Sequence, residues 1–122
     1  MNMERKNILK EKSFAFALRI VHAYKYLTNE KREFVLSKQL LRSGTAIGAL
    51  VREAEYAQSI LDFISKMSIA LKEANETEYW LTLLKESEYI DNDVYLSILN
   101  DCQELLKLLT SSINTSKKKL KK

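Results

Sequence analysis

Few residues of this chain could carry out acid–base, nucleophilic or metal chemistry. Its 122 residues include one histidine, His22, and one cysteine, Cys102. A di-iron site in a helix bundle needs a Glu-x-x-His pattern on each of two helices, which one histidine cannot supply. Cys102 falls among apolar residues at helical spacing, which is typical of a small core residue. The sequence therefore predicts no catalytic residue, no metal site and no cofactor, in a protein that is not an enzyme.

Two carboxylates and two guanidinium groups form a second set of candidates. Glu73 and Glu76 are three residues apart and share one face of a helix. We predict that Arg42, and with it Arg52, pairs with Glu73 or Glu76 across packed helices or across a subunit boundary, since a guanidinium can hold a carboxylate in bidentate geometry. The alternative is that these charges form ordinary solvated faces. Trp80 is predicted to pack within the bundle or at an interface rather than to stack on a base.

The glycines Gly44 and Gly48 lie four residues apart, and they are the only two in the chain. A phosphate-binding loop would need GxxxxGK[ST], and a dinucleotide fold would need GxGxxG; neither pattern occurs. Both glycines fall on one stripe of a helix, where each costs about 1 kcal/mol of helix propensity relative to alanine. We predict that another helix packs closely against them, within the bundle or between subunits. A local hinge is the alternative.

Four helices must position these residues. Ser13 is the predicted N-cap of the first, which carries Phe14, Leu18 and Leu27 inward and ends near residue 29. The second is predicted from about residue 31 to residue 57. Ser59 and Asp62 form an approximate capping box that opens the third. The inward positions of the third helix alternate steps of three and four residues, as in coiled-coil-like bundles; they are Ile60, Phe63, Met67, Ala70, Ala74, Thr77, Leu81 and Leu84.

A fourth helix is predicted to begin at Asp91 and to carry Ile98, Cys102 and Leu109 inward. It is expected to end before the lysine-rich C-terminal tail. Short connections make consecutive helices antiparallel neighbours. The predicted fold is therefore all-α, an up-down-up-down antiparallel four-helix bundle. Residues 1–12 are an N-terminal arm, residues 13–114 are the bundle domain, and residues 115–122 are a basic C-terminal tail.

Basic groups are concentrated in two parts of the chain. Residues 13–52 carry a net charge of +5 and residues 53–116 a net charge of −8, whereas the last six residues contain five lysines. Contacts with nucleic-acid phosphates need basic side chains and no base-specific residues. The candidates for such contacts are Lys25, Lys31, Arg32, Lys38, Lys117, Lys118, Lys119, Lys121 and Lys122. The alternative is that these are solvated charges that keep the particle soluble.

No part of the sequence suggests export or a membrane span. The first twelve residues lack the apolar stretch of a secretory signal peptide. The longest uncharged apolar run, AIGALV, is far shorter than the about 20 residues that cross a bilayer. We expect a cytoplasmic protein that has no membrane partner.

Three long segments resemble a known bacterial family. They read KSFAFALRIVHAYKYL, EFVLSKQLLRSGTAIGALVREAEYAQS and DFISKMSIALKEANETEYWLTLL, and they resemble the 23S rRNA intervening-sequence proteins over about residues 12–109. The resemblance implies a homopentamer of helical bundles arranged as a ring or barrel. A protein related to that family, the accessory variability determinant of diversity-generating retroelements, is a basic pentamer that binds nucleic acid and a reverse transcriptase.

The helices are also apolar on more than one face. Phe14 and Phe16, like Ile69 and Leu71, cannot all face one core, so copies of the chain are expected to cover the remainder. The predicted function is a non-enzymatic homo-oligomeric scaffold, a pentamer by resemblance, that binds RNA or DNA through its basic surface and tail. The alternative is an adaptor for a bacterial protein such as a reverse transcriptase, without direct nucleic-acid binding.

Overall fold

Four α-helices make up the structure, a computed structural model that describes residues 3–121, with side chains from Ile8 onward. They are α1 (Met3–Asn29), α2 (Leu36–Glu55), α3 (Ile60–Glu86) and α4 (Asn92–Leu120). Each packs against the next, and α1 also packs against α4. No strand occurs within residues 3–121, and no helix in that range is long and apolar enough to cross a membrane. The all-α prediction is confirmed.

The predicted inward stripes of α3 and α4 are largely confirmed. In α3, Met67 and every later member of the stripe are buried, whereas Ile60, in the first turn, is substantially exposed. In α4, Ile98, Cys102 and Leu109 are buried. The predicted caps are also present: the Ser59 hydroxyl accepts the N–H of Asp62, and the Asp91 carboxylate accepts the N–H of Val94. Each cap satisfies a backbone donor that a helix start would otherwise leave unpaired.

The prediction for α1 is wrong in its start and in its inner face. The helix begins at Met3 and runs through Ser13, whose hydroxyl donates to the carbonyl of Lys10 instead of capping the helix. Phe16 and Ile20 are buried, whereas Phe14 and Leu18 are 51% and 47% exposed. Both pairs have helical spacing, so periodicity alone could not choose between them.

The start of α2 is also later than predicted. The helix begins at Leu36, and residues 30–35 form a connection in which Arg32 has a positive φ of 54°. Glu33 supplies the cap from within this connection. Its carboxylate accepts the backbone N–H groups of Val35, Leu36 and Ser37 at 3.1, 2.9 and 2.7 Å. The side chain of Glu33 therefore replaces the Ser, Thr or Asp that normally identifies a helix start.

Helix α4 continues well beyond the point where the sequence suggested that order ends. It extends to Leu120, because Ile113 and Ser116 remain buried against the bundle. Three lysines in its last turn lie at the negative end of the helix dipole, where cations are favourable.

The two glycines of α2 lie against α1, as the close-packing prediction requires. A Cβ added at Gly44 would lie 2.7 and 2.9 Å from the two γ-carbons of Ile20, and one added at Gly48 would lie 3.3 Å from the carbonyl oxygen of Ser13. The absent side chains let the two backbones approach, and neither glycine has a positive φ. The glycines therefore serve helix packing within the chain.

Glu33 makes stability dependent on pH in the acid range. Burial is the largest influence on the pKa of Glu33 and raises it, but the hydrogen bonds from Leu36, Ser37 and Val35 together outweigh burial and hold the pKa below the ordinary 4.5. A lowered pKa means that the carboxylate stabilises the fold fully above about pH 4.5 and loses this effect as the pH falls through the folded-state pKa. We expect Glu33→Gln to lower the free energy of unfolding at pH 7 by about 1 kcal/mol, and the difference from wild type to vanish in strong acid.

Urea unfolding between pH 3 and pH 7 measures this effect, with Glu30→Gln, an exposed change in the same connection, as the matched control. A wild-type advantage of equal size at every pH would contradict the role given to the Glu33 carboxylate.

The contact at Gly44 predicts a context-dependent effect of a single methyl group. Gly44→Ala should lower the free energy of unfolding by about 1–2 kcal/mol, because the overpacking strain of about 1–3 kcal/mol exceeds the gain of about 1 kcal/mol in helix propensity. In an Ile20→Ala background the same change should become stabilising. Chemical denaturation of the wild type, the two single variants and the double variant tests the contact. Equal effects of Gly44→Ala in both backgrounds would refute it.

Candidate interaction surfaces

Arg42 connects α2 to α3 through two carboxylates. Its Nη1 donates to Glu73 Oε1 and Oε2 at 3.2 and 3.4 Å, and its Nη2 bonds Glu76. Its Nε donates to Gln39 Oε1 at 3.4 Å. The structure therefore brings Arg42, Glu73 and Glu76 together within one chain. The cluster lies at the solvent edge between α2 and α3.

Arg52 takes a different partner. Its guanidinium lies over the ring of Phe14, 5.5 Å from the centroid, and the structure pairs it with neither Glu73 nor Glu76 among the described residues. This contact covers one side of an exposed aromatic ring with a cation, a favourable arrangement. Arg52 therefore belongs to the surface formed by α1 and α2.

Trp80 and Tyr79 lie side by side on α3. Their ring centroids are 5.0 Å apart in an edge-to-face arrangement. Trp80 is half-buried and packs against the core, whereas Tyr79 is exposed. The Trp80 Nε1 group is buried with no hydrogen-bond partner among the described residues. The packing of Trp80 against the core is the arrangement that the sequence favoured over base stacking.

The residues that could act in catalysis or bind a metal are far apart. His22 is exposed on α1. Cys102 is buried, and its thiol donates to the carbonyl of Ala74 at 3.3 Å. Burial, with smaller contributions from Glu78 and Asp101, raises the pKa of Cys102 to about 12, so it stays a thiol at neutral pH and is a poor nucleophile. Within the described residues, no three His, Cys, Asp or Glu side chains come together as a metal site would require.

The basic candidates lie at opposite ends of the bundle. Lys25, Lys31, Arg32 and Lys38 flank the connection from α1 to α2, and Lys117, Lys118, Lys119 and Lys121 end α4. Two ion pairs show that α1 and α4 run antiparallel. Lys12, earlier in α1, pairs with Glu104, later in α4, and Arg19, later in α1, pairs with Asp101, earlier in α4. Since α1 has 27 residues, the two groups are separated by about 40 Å at 1.5 Å per residue. They cannot form one patch on a single chain, and Lys122 lies outside the described residues.

Three ion pairs join α1 to its neighbouring helices, and the sequence did not predict them. Lys10 pairs with Glu55, Lys12 with Glu104, and Arg19 with Asp101, at 3.3, 3.1 and 2.8 Å. Arg19 also donates to the carbonyl and hydroxyl oxygens of Ser97. Each pair joins α1 to α2 or α4 over a long sequence separation, and no local pattern identifies such partners.

The comparisons with known proteins agree with the fold. The model of the family described as 23S rRNA-intervening sequence protein matches residues 5–111. A crystal structure from Bacteroides thetaiotaomicron VPI-5482, described as a protein with unknown function from the S23 ribosomal protein family, is similar at a TM-score of 0.89 and 62% identity. The match covers 90% of this chain and 98% of that one. Among curated proteins, none matches. The chain therefore belongs to the 23S rRNA-intervening sequence protein family.

The Arg42 cluster predicts a loss of stability on charge reversal. Arg42→Glu would place a third carboxylate beside Glu73 and Glu76, so we expect the free energy of unfolding to fall by about 1–2 kcal/mol, a modest loss because the site is half exposed. The double variant Arg42→Glu/Glu76→Arg should recover part of this loss.

Thermal unfolding measures both effects. Lys38→Glu is a control, since it reverses an exposed charge on the same helix that has no ion-pair partner among the described residues. Melting of Arg42→Glu at the wild-type temperature would remove the assigned role.

Proposed function

We propose that this chain is a non-enzymatic homo-oligomeric scaffold, a pentamer as the family resemblance implies, and that the assembled particle binds nucleic acid. The observation that carries the proposal is the amount of apolar surface left over after the core is filled. Phe16 is buried while Phe14, two residues away, is 51% exposed. On α3, Leu71 packs against the core while Ile69 is exposed. One bundle buries one face of each helix, and the second face needs another cover.

The exposed side of α1 is the strongest candidate for an apolar surface that another molecule covers. Phe14 and Leu18 lie one turn apart and are both about half exposed, and Val21 extends the same stripe as a half-buried residue. Single exposed apolar residues are common on monomeric proteins, but contiguous stripes are typical of interaction sites. A second copy of the chain would remove this stripe from water.

Basic groups support the nucleic-acid part of the proposal. The structure gives Lys117, Lys118, Lys119 and Lys121 no carboxylate partner among the described residues, so their charges are available. In a cyclic particle every copy points the same way, so the ends of all the α4 helices meet on one rim. Repeated weak contacts on such a rim add up through multivalency.

The scaffold proposal predicts the mass of the particle. Light scattering after size exclusion should give a multiple of 14.2 kDa, and five copies of 14.2 kDa would weigh about 71 kDa. Phe14→Ser/Leu18→Ser should shift the particle toward the monomer, because apolar contact area is lost at about 25 cal/mol per Å² in each interface.

Glu11→Ser/Lys25→Ser replaces two exposed charged residues of the same helix and should leave the number of copies in the particle unchanged. A wild-type mass of 14.2 kDa at all concentrations would overturn the scaffold proposal and would favour the adaptor alternative, in which another protein covers α1.

The nucleic-acid proposal has its own test. Binding of labelled RNA and DNA at about 50, 100 and 200 mM salt should weaken steeply as salt rises, because phosphate contacts release counterions. Truncation after Ser116 should weaken binding. It removes five lysines and leaves the buried Ile113 and Ser116 in place, so the bundle should remain folded. Absence of binding by the full chain at the lowest salt would exclude this function.

A further inference from the structure

We propose that the outer side of α4, from Lys107 to Lys118, is a binding surface for the sugar–phosphate backbone of nucleic acid; this inference rests on the nucleic-acid part of the proposed function. Six polar side chains line one shallow depression there, and they are Lys107, Thr110, Ser111, Asn114, Thr115 and Lys118. Their spacing of three, one, three, one and three residues places them on one helix face. At 1.5 Å per residue the strip is about 16 Å long.

The chemistry of the strip matches a phosphate backbone. Lysine, threonine, serine and asparagine side chains all donate hydrogen bonds, and these residue types make many of the phosphate contacts in protein–nucleic acid complexes. The strip contains no carboxylate, since Glu104 is the last acidic residue of the chain. Glu104 itself is neutralised by Lys12 at 3.1 Å. The strip itself therefore contributes no carboxylate that would repel a polyanion.

The side chains of the strip are also uncommitted. Thr28, Thr45, Thr77 and Thr82, which lie in the other three helices, each donate to the carbonyl four residues earlier. Within residues 8–121, none of the six strip residues forms a side-chain hydrogen bond or ion pair. Their donors can therefore bond a ligand without breaking a side-chain hydrogen bond or ion pair.

The strip fits nucleic acid better than a lipid surface. A helix that lies on a membrane needs a face of large apolar residues. The only apolar member of the depression is Leu106, and it packs against the core. Contact with polar oxygens along the length of the helix is the arrangement that the residues support.

Substitution of the two lysines tests the position of the surface. Lys107→Gln/Lys118→Gln should weaken binding of single-stranded RNA and DNA, and should reduce the salt dependence of the binding constant by about 1.4 in log–log slope per bound chain, the value for two lost phosphate contacts. Lys66→Gln/Lys72→Gln removes two lysines of α3 that are not among the candidates for phosphate contact, and it should leave the slope unchanged. Strands of identical sequence in the RNA and DNA arms show whether the 2′-hydroxyl contributes.

A charge-neutral variant separates specific contacts from overall charge. Thr110→Ala/Asn114→Ala keeps every charge and favours the helix, so we expect several-fold weaker binding with an unchanged salt slope and an unchanged melting temperature. Wild-type affinity in this variant would overturn the role of the polar groups.

The remaining outcomes distinguish the two levels of the proposal. If the wild-type chain binds nucleic acid but the two lysine variants lose equal affinity, the strip is overturned and the proposed function stands. If the wild-type chain does not bind at about 50 mM salt, both fail. If Lys107→Gln/Lys118→Gln loses binding only to phosphatidylserine vesicles, the surface is a membrane contact and the inference is wrong.

Discussion

The close approach of α1 to α2 at Gly44 and Gly48 is the constraint on which the rest of the bundle depends. Because neither glycine has a side chain, Ile20 and the backbone of Ser13 occupy the space where two Cβ atoms would lie. This contact sets the rotation of α1 about its own axis. Once Ile20 faces α2, Phe16 must enter the core and Phe14 must point outward, where Arg52 lies over its ring.

The ion pairs at the helix edges follow from this packing. Lys10 reaches Glu55 on one side of α1, and Arg19 reaches Asp101 on the other. Arg42 joins α2 to α3 in the same manner. These groups are partly exposed, where an ion pair contributes little to stability.

The proposed functions use different sides of the molecule. The apolar stripe that includes Phe14 and Leu18 lies on α1, and the polar strip from Lys107 to Lys118 lies on the outer side of α4. Between them, the edge joining α1 to α4 is held by Arg19 and Lys12. Self-association through α1 would therefore leave the α4 strip open, so that one particle could assemble and carry a polyanion at the same time.

The sequence alone determined the features that depend on a few neighbouring residues. Helix α3 has a long apolar stripe of regular three- and four-residue steps and a Ser59 cap, so its start and its buried face could both be predicted. The Asp91 cap was equally local. The Arg42 pairing with Glu73 and Glu76 was one of two alternatives that the sequence left open, since the same residues could equally have formed solvated faces. Membership in the family could also be read from three long segments.

The tertiary structure decided what neighbouring residues leave open. In α1, Phe14 and Leu18 compete with Phe16 and Ile20 for the core, and the close contact of Ile20 with Gly44 on α2 favours the second pair. The start of α2 depended on Glu33, which caps from three residues away. The end of α4 depended on burial of Ile113 and Ser116. Local propensity records what a segment can form, whereas packing against a particular neighbour determines which face is buried and where the helix ends.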